Sequence, residues 1–300
     1  MMTKEQLFTQ LFENLADSGL FFGHGVIDAQ DEAMMVMMYV LKQTVDEILC
    51  SGQIKVDMQT IKKAEKIVSQ RLNTLKPMAY IVGEVQFAGL TFKSDERALV
   101  PRSPIAELIG NDFQPWLNLN TINNALDLCT GSGCIGIALA KYNPHIHVDI
   151  SDLSKDALSL AKTNIKLHGL NQQVSAVQSD LFAELTGPYD LIVTNPPYVS
   201  ENEYSQLPQE YKKEPKLGLT TPQEGLQIPV KIMLDAPEYL NENGLLFLEV
   251  GYTDELLEDA FPAVDFEWID FENGGHGVCV LSKEQLISYS VKFKKFLSKG

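Results

Sequence analysis

From Ala125 to Val250 short apolar runs alternate with stripes of helical period, and this alternation limits the chain to few folds. The strand-like runs are Ala125–Cys129, His145–Ser151, Val174–Gln178, Asp190–Thr194 and Leu245–Val250; the helical stretches between them are Ile135–Lys141, Lys155–His168 and Leu226–Leu240. Strands joined through helices must run parallel, with helices covering both faces of the sheet. The pattern then changes. Phe266–Phe271 and Gly277–Leu281 read as two strands joined by Glu272-Asn273-Gly274-Gly275-His276, a hairpin that adds an antiparallel strand, and Lys283–Leu297 reads as a polar helix. The expectation is an α/β fold: a Rossmann-like, mostly parallel sheet of seven strands closed by an antiparallel hairpin.

A different region precedes this one. Leu7, Phe8, Leu11, Phe12 and Leu15 recur at helical spacing, as do Ile61, Ala64, Val68, Leu72 and Leu75 before Pro77. Met34–Leu41 is apolar all round and predicts a buried helix, with its methionines filling core gaps. Tyr80-Ile81-Val82, Val85-Gln86-Phe87 and Leu90-Thr91-Phe92 suggest short strands, the last two joined at Ala88-Gly89. Leu99-Val100-Pro101-Arg102-Ser103-Pro104 is a stiff linker, since proline fixes its own backbone angle and restrains its predecessor. The expected division is a helical domain over 1–78, a hairpin and linker over 79–104, and an α/β domain over 105–300.

The candidate ligand-binding residues follow the strands. The first strand runs into Asp127-Leu128-Cys129-Thr130-Gly131-Ser132-Gly133, a glycine loop ahead of a helix N-terminus. Alone, such a loop can hold a pyrophosphate or merely make a tight turn. Asp127, at its start, would repel a pyrophosphate but attract the cationic amino group or sulfonium of S-adenosylmethionine. Asp152, after the second strand, can accept ribose hydroxyl hydrogen bonds; it can equally cap the next helix, although Ser154 competes for that place. Asp180, after the third strand, can accept from the adenine amino group while Leu181 or Phe182 packs on the ring.

Val193-Thr194-Asn195-Pro196-Pro197-Tyr198 closes the fourth strand. Its residues suit methylation of a planar NH2 group, whose nitrogen lone pair is delocalised. The Asn195 side-chain oxygen and the Pro196 carbonyl can accept the two N–H bonds of such a group, the Pro196-Pro197 backbone is rigid, and Tyr198 can stack on its plane. Two fixed acceptors favour positive charge developing on nitrogen. Asn195 also borders the cofactor side. Direct displacement needs neither a nucleophilic side chain nor a metal, and no metal site is expected; the alternative for the motif is a rigid loop after a strand.

Composition narrows the acceptor. Asp and Glu number 40 against 24 Lys and Arg, a net charge of −16, which disfavours a direct DNA target and is compatible with a basic protein partner or with solubility alone. Cys50, Cys129, Cys134 and Cys279 form no C-x-x-C pair, and no signal peptide or membrane-length apolar run is present. A reduced, cytoplasmic setting away from membranes is expected.

Taken in order, Asp127–Gly133, Asp152, Asp180, Asn195–Tyr198 and the closing hairpin resemble a class I S-adenosylmethionine-dependent methyltransferase. With the helical front region and Leu99–Arg102, nearly the whole chain is similar to the protein-(glutamine-N(5)) methyltransferases of the PrmC/HemK group. The resemblance is carried by Gly23-His24-Gly25, Asp95-Glu96-Arg97, Pro101–Ile105, Leu207-Pro208, Glu210-Tyr211, Glu214-Pro215, Asn273–Gly277 and Lys283-Glu284-Gln285-Leu286. Arg102-Ser103-Pro104-Ile105 departs from the release-factor enzymes and favours the ribosomal-protein branch; Lys155 and His276 also depart from the family pattern. The resemblance implies S-adenosylmethionine as cofactor and a glutamine of ribosomal protein L-three, free or within a ribosome assembly intermediate, as substrate. It also implies substrate recognition by the front domain. Release-factor methylation, DNA amino-methylation and non-catalytic ribosome assembly stay open as alternatives. His24 is read as a turn residue, and Arg102 either as a reach to a carboxylate across the site or as a surface ion pair.

Overall fold

The computed structural model describes residues 2–299. Four helices open the chain: α1 (Lys4–Ala16), α2 (Ala29–Leu41), α3 (Val45–Leu49) and α4 (Met58–Thr74). Thr3, Asp28, Thr44 and Asp57 cap their N-termini by accepting backbone N–H bonds that the helix itself leaves free. Leu7, Leu11, Leu15, Val36, Met37, Ile61, Ala64 and Val68 share one core. The α2 helix is not buried on all sides. Val36 and Met37 are buried, while Met34, Met35 and Met38 are half-buried against the same core, because helices flank only part of its surface.

Tyr80-Ile81-Val82 is helical, not a strand: α5 spans Met78–Val82. Pro77 starts the turn and Gly83, at φ 77°, ends it. The i, i+4 pair Met78 and Val82 joins the front core while Ala79 and Tyr80 join the core of the sheet, a division that only helical geometry allows. The expected hairpin follows as β1 (Glu84–Phe87) and β2 (Leu90–Lys93), paired antiparallel. Residues 94–104 are irregular up to α6 (Ile105–Gly110).

The large sheet contains β3 (Asn124–Leu128), β4 (His147–Asp152), β5 (Val174–Gln178), β6 (Tyr189–Thr194), β7 (Leu240–Glu249), β8 (Glu267–Trp268) and β9 (Val278–Ser282), in the order β5-β4-β3-β6-β7-β9-β8. The first five are mutually parallel; β9 runs antiparallel between β7 and β8. The expected strand over 266–271 shortens to two residues at the sheet edge. The remaining helices are α7 (Cys134–Tyr142), α8 (Lys155–His168), α9 (Glu201–Gln206), α10 (Gln227–Asp235), α11 (Asp254–Ala260) and α12 (Lys283–Leu297). The α10 helix stops at Asp235, not at Leu240, because Pro237 cannot continue it.

Alternate residues along each strand serve opposite cores. Ala125, Leu191, Val193 and Phe247 pack with Ile137 and Ala138 of α7, whereas Leu126, Leu128, Ile192, Leu246 and Leu248 pack with Val230 and Met233 of α10 and Phe293 of α12. Both faces are covered, as a parallel sheet requires. The α12 helix is therefore polar on one side only. The strand order reverses between β3 and β6, where Leu128 lies beside Thr194 and Thr194 Oγ1 donates to the Leu128 carbonyl at 2.7 Å. Ligands bind at such reversals, outside the carboxyl ends of the strands.

Candidate active site

A cavity of about 990 Å³ opens at that reversal. Of the residues singled out in the sequence, Thr130, Gly131, Ser132, Asp152, Asp180, Leu181, Asn195, Pro196, Pro197 and Tyr198 line it, and Asp127 and Gly133 do not. The period of β3 explains Asp127. Its side chain points to the α7 face, where Oδ2 accepts the Gly136 N–H at 2.8 Å and the Thr130 hydroxyl. Asp127 thus holds the glycine loop from beneath. Gly133 caps α7 behind the wall.

The Asp152 carboxylate accepts Gly131 N–H at 2.9 Å and Ser154 N–H at 2.8 Å. The helix cap itself is Ser154, which accepts Ala157 N–H, so Asp152 is left facing the cavity. Leu181, at φ 50°, lines the cavity, while Phe182 turns away and stacks on Tyr239 with ring centroids 4.6 Å apart. The choice between Leu181 and Phe182 as the cavity-facing residue therefore falls on Leu181.

The lining suits a cationic nucleoside. Ser132 Oγ and Ser151 Oγ in the lining, and Asp127 Oδ1 behind it, are buried without hydrogen-bond partners among the described residues. Burial pushes the Asp127 carboxyl up to about 7 against the hydrogen bonds from Thr130 and Gly136, and it raises Asp152 as well. A cationic ligand would relieve both. Burial also raises the Cys129 thiol, so this cavity residue brings no thiolate to the site.

On the other wall, Asn195 and Tyr198 meet groups that the sequence reading did not single out. Glu249 ends β7 and is buried; Ser103 donates to its Oε2, and the Tyr198 hydroxyl lies 3.5 Å from its Oε1. A signal existed: Glu249 is the lone charge closing the apolar run Leu245–Val250, at a carboxyl end. Two glycines seat Tyr198. A Cβ on Gly251 would lie 2.8 Å from its ring, and one on Gly225 would lie 2.1 Å from its carbonyl oxygen. Both have positive φ, so side chains there are excluded by space and by strain.

Glu214 gathers the rest. It accepts Val100 N–H at 2.9 Å and takes Arg102 as a two-pronged pair, 2.8 Å at each contact. His24 Nε2 stands 3.4 Å from Glu214 Oε2, and the His24 ring packs on Tyr211 at 4.4 Å between centroids. Burial pushes the Glu214 carboxyl up, yet Arg102 and His24 together hold it at about 2. Arg102 is therefore the reach across the site, not a surface ion pair. His24 is more than a turn residue: it is 2% exposed and ties the front helices to the cavity. Phe21 strengthens that tie, since its N–H donates to Glu210 while its carbonyl accepts from Arg71, itself paired with Glu32.

The Methyltransferase small domain family matches residues 113–211. A ribosomal protein uL3 glutamine methyltransferase of Xanthomonas campestris is 46% identical over 94% of this chain and 92% of its own length. One of Xylella fastidiosa is 48% identical over 91% of this chain and 88% of its own. This chain belongs to the ribosomal protein uL3 glutamine methyltransferase family. Among solved structures, the hMettl16 catalytic domain in complex with MAT2A 3'UTR hairpin 6 matches with a TM-score of 0.51 at 15% identity, covering 82% of this chain and 91% of that one, which bears on the fold alone. That fold is the class I S-adenosylmethionine-dependent methyltransferase fold. No described helix is long and apolar enough to cross a membrane.

Proposed function

We propose that this enzyme transfers the methyl group of S-adenosylmethionine to the side-chain amide nitrogen of a glutamine in ribosomal protein uL3. The observation that carries the reading is that Asn195–Tyr198 shares one cavity with Gly131, Asp152 and Asp180, in a chain whose relatives bear that name over almost their whole length.

When bound, S-adenosylmethionine supplies a methyl carbon made electrophilic by its positive sulfur. The chain's own residues bind, orient and neutralise. Asp152 has lone pairs free for the ribose hydroxyls beyond the two N–H bonds it accepts. Asp180 accepts from the adenine amino group, and Leu181 gives the ring an apolar floor. Asp127 attracts positive charge from beneath the loop. Asn195 Oδ1 and the Pro196 carbonyl accept the two N–H bonds of the substrate amide, turning its nitrogen toward the methyl carbon, and the Tyr198 ring lies along its plane.

The helical front domain, 1–78, joins the hairpin and linker, 79–104, in presenting the substrate to the catalytic domain, 105–300. His24 and Arg102, both at Glu214, support this division of labour. The net charge of −16 suits a basic ribosomal protein, and the cytoplasm is where that substrate is made.

The test is transfer of labelled methyl from S-adenosylmethionine to purified unmethylated uL3, peptide release factors and duplex DNA, with peptide mass spectrometry to place the label. Label on a uL3 glutamine is expected. Label on release factor or DNA in its place would overturn the substrate, and cofactor binding with no transfer anywhere would favour an assembly role without catalysis.

A further inference from the structure

The two-acceptor arrangement works only if Asn195 turns its oxygen, and not its NH2, toward the substrate. The two ends of an amide side chain have nearly the same shape and opposite hydrogen-bonding character. Nothing within Asn195 chooses between them, so the choice falls to the group on its other side.

Glu249 is placed to choose. Thr194 pairs with Leu248 across β6 and β7, so Asn195 and Glu249 are the next residues along two neighbouring parallel strands, and both line the cavity. Glu249 is only 4% exposed. One carboxylate oxygen takes the Ser103 hydroxyl and the other faces the Tyr198 hydroxyl. Arg102 faces it from the linker, but the guanidinium fork is already spent on Glu214. The Asn195 side chain lies next to this carboxyl across the strand pair and helps to lower it. An ionised carboxylate only accepts, so Asn195 can meet it only through Nδ2–H, which leaves Oδ1 facing away from Glu249.

We infer that Glu249 is a positioning residue for methyl transfer, whose ionised carboxylate holds the Asn195 amide with Oδ1 toward the substrate nitrogen and anchors Tyr198 beside it. The inference rests on the proposed acceptor role of Asn195. It carries a consequence for pH. Burial pushes the Glu249 carboxyl up to about 7, while Ser103, Arg102, Tyr198 and Asn195 pull it down. A protonated carboxyl donates, and a donor beside Asn195 would draw Oδ1 back toward itself. Transfer is therefore expected to rise with pH through about 7.

Two measurements test this. The first needs no substrate. In nitrogen-15-labelled free protein, the Asn195 side-chain NH2 signals, assigned by their loss in Asn195→Ala, should shift with a midpoint near pH 7, and Glu249→Gln should abolish the shift. Signals that do not titrate in the wild-type protein would overturn the inference whatever the substrate proves to be. The second is single-turnover methyl transfer to uL3 across pH 5.5 to 9. Glu249→Gln should lower the rate about tenfold or more at pH 8, with S-adenosylmethionine affinity unchanged, and should remove the acidic limb. Ser103→Ala deletes a donor to the ionised form, so its limb should move to higher pH. Asp127 titrates in the same range, so the decisive results are the changes in these two variants rather than the limb itself. Wild-type rates and an unaltered limb in both would sink the positioning role alone, whereas no transfer to uL3 by the wild type would count against the proposed function.

Discussion

Along β3, β4 and β5 the cavity wall is made of residues that stand within three positions of a strand end: Thr130, Gly131, Asp152 and Asp180. Facing them, the acceptor wall draws Gly23 from the loop between α1 and α2, Arg102 and Ser103 from the linker, Tyr211 from the segment after β6 and Glu249 from β7. Its hydrogen bonds span the chain, 112 residues from Arg102 to Glu214, 146 from Ser103 to Glu249 and 189 from Phe21 to Glu210. One wall is a set of local turns on a sheet. The other exists only once four separate parts of the chain have docked. The first should therefore fail piecemeal when mutated, and the second as a unit.

The sharpest test of the difference is Asn195→Ala. Removing an acceptor used as charge develops on nitrogen should cost on the order of 10²–10³-fold in transfer rate. Cofactor affinity, measured by calorimetry, should change little, since the β3–β5 wall is untouched. Equal losses in rate and in affinity would mean that the walls are not separable.

Glu214→Gln strikes the acceptor wall at its hub and should act on folding as well as on rate. It leaves the Arg102 charge without a partner; because Arg102 keeps some solvent contact, about 3 kcal/mol, the low end for a broken buried pair, is expected in urea unfolding. The pH sign is fixed by the shift. Glu214 is held at about 2, below its ordinary 4.5, so its contribution is complete above 4.5 and fades as pH falls toward 2. The gap between wild type and variant should hold steady from neutral pH to 5 and close below that. A gap that widens in acid would contradict the pairing.

This contrast also explains what could be read from the sequence. The order of strands and helices, the hairpin 84–93 and the loops after β3, β4, β5 and β6 follow from periods and turn residues that lie together in the chain. The sequence misleads where neighbours in space decide. Tyr80 looked like a strand residue until Pro77 and Gly83 closed a helical turn whose two sides enter different cores. Phe182 looked as good a ring partner as Leu181 until Tyr239 claimed it. His24 could be read as a turn, because its partner Glu214 lies 190 positions further on and no local period links them. Glu249 was marked only by being a charge where a buried strand should have none.

Asp127 tests the cofactor wall from below. Burial raises its carboxyl from 3.8 to about 7, so the ligand-free fold is penalised for the ionised form. Here the sign is opposite to Glu214: the favourable state is complete below 3.8 and is lost as pH rises through about 7. Asp127→Asn removes the titration while keeping an acceptor for Gly136 N–H. Without cofactor, the variant should gain stability over wild type, by about 2 kcal/mol more at pH 8 than at pH 5. With cofactor the advantage should shrink, because the wild-type carboxylate then has its cation. An advantage unaffected by saturating S-adenosylmethionine would remove Asp127 from cofactor binding and leave it as a brace for the loop.

The smallest expected effect belongs to Asp152→Asn, and it is the most selective between the walls. The change keeps an oxygen for Gly131 N–H or Ser154 N–H but not the full set of charged acceptors, so the turn should survive while the ribose hydroxyls lose part of their partner. A loss of about tenfold in S-adenosylmethionine affinity, about 1.4 kcal/mol, is expected, with the transfer rate at saturating cofactor close to wild type. The acceptor wall has no hydrogen bond to Asp152, so the pH limb assigned to Glu249 should not move. Should it move, the two walls would be electrostatically coupled through the cavity, and the piecemeal behaviour expected of the β3–β5 loops would not hold even for their simplest member.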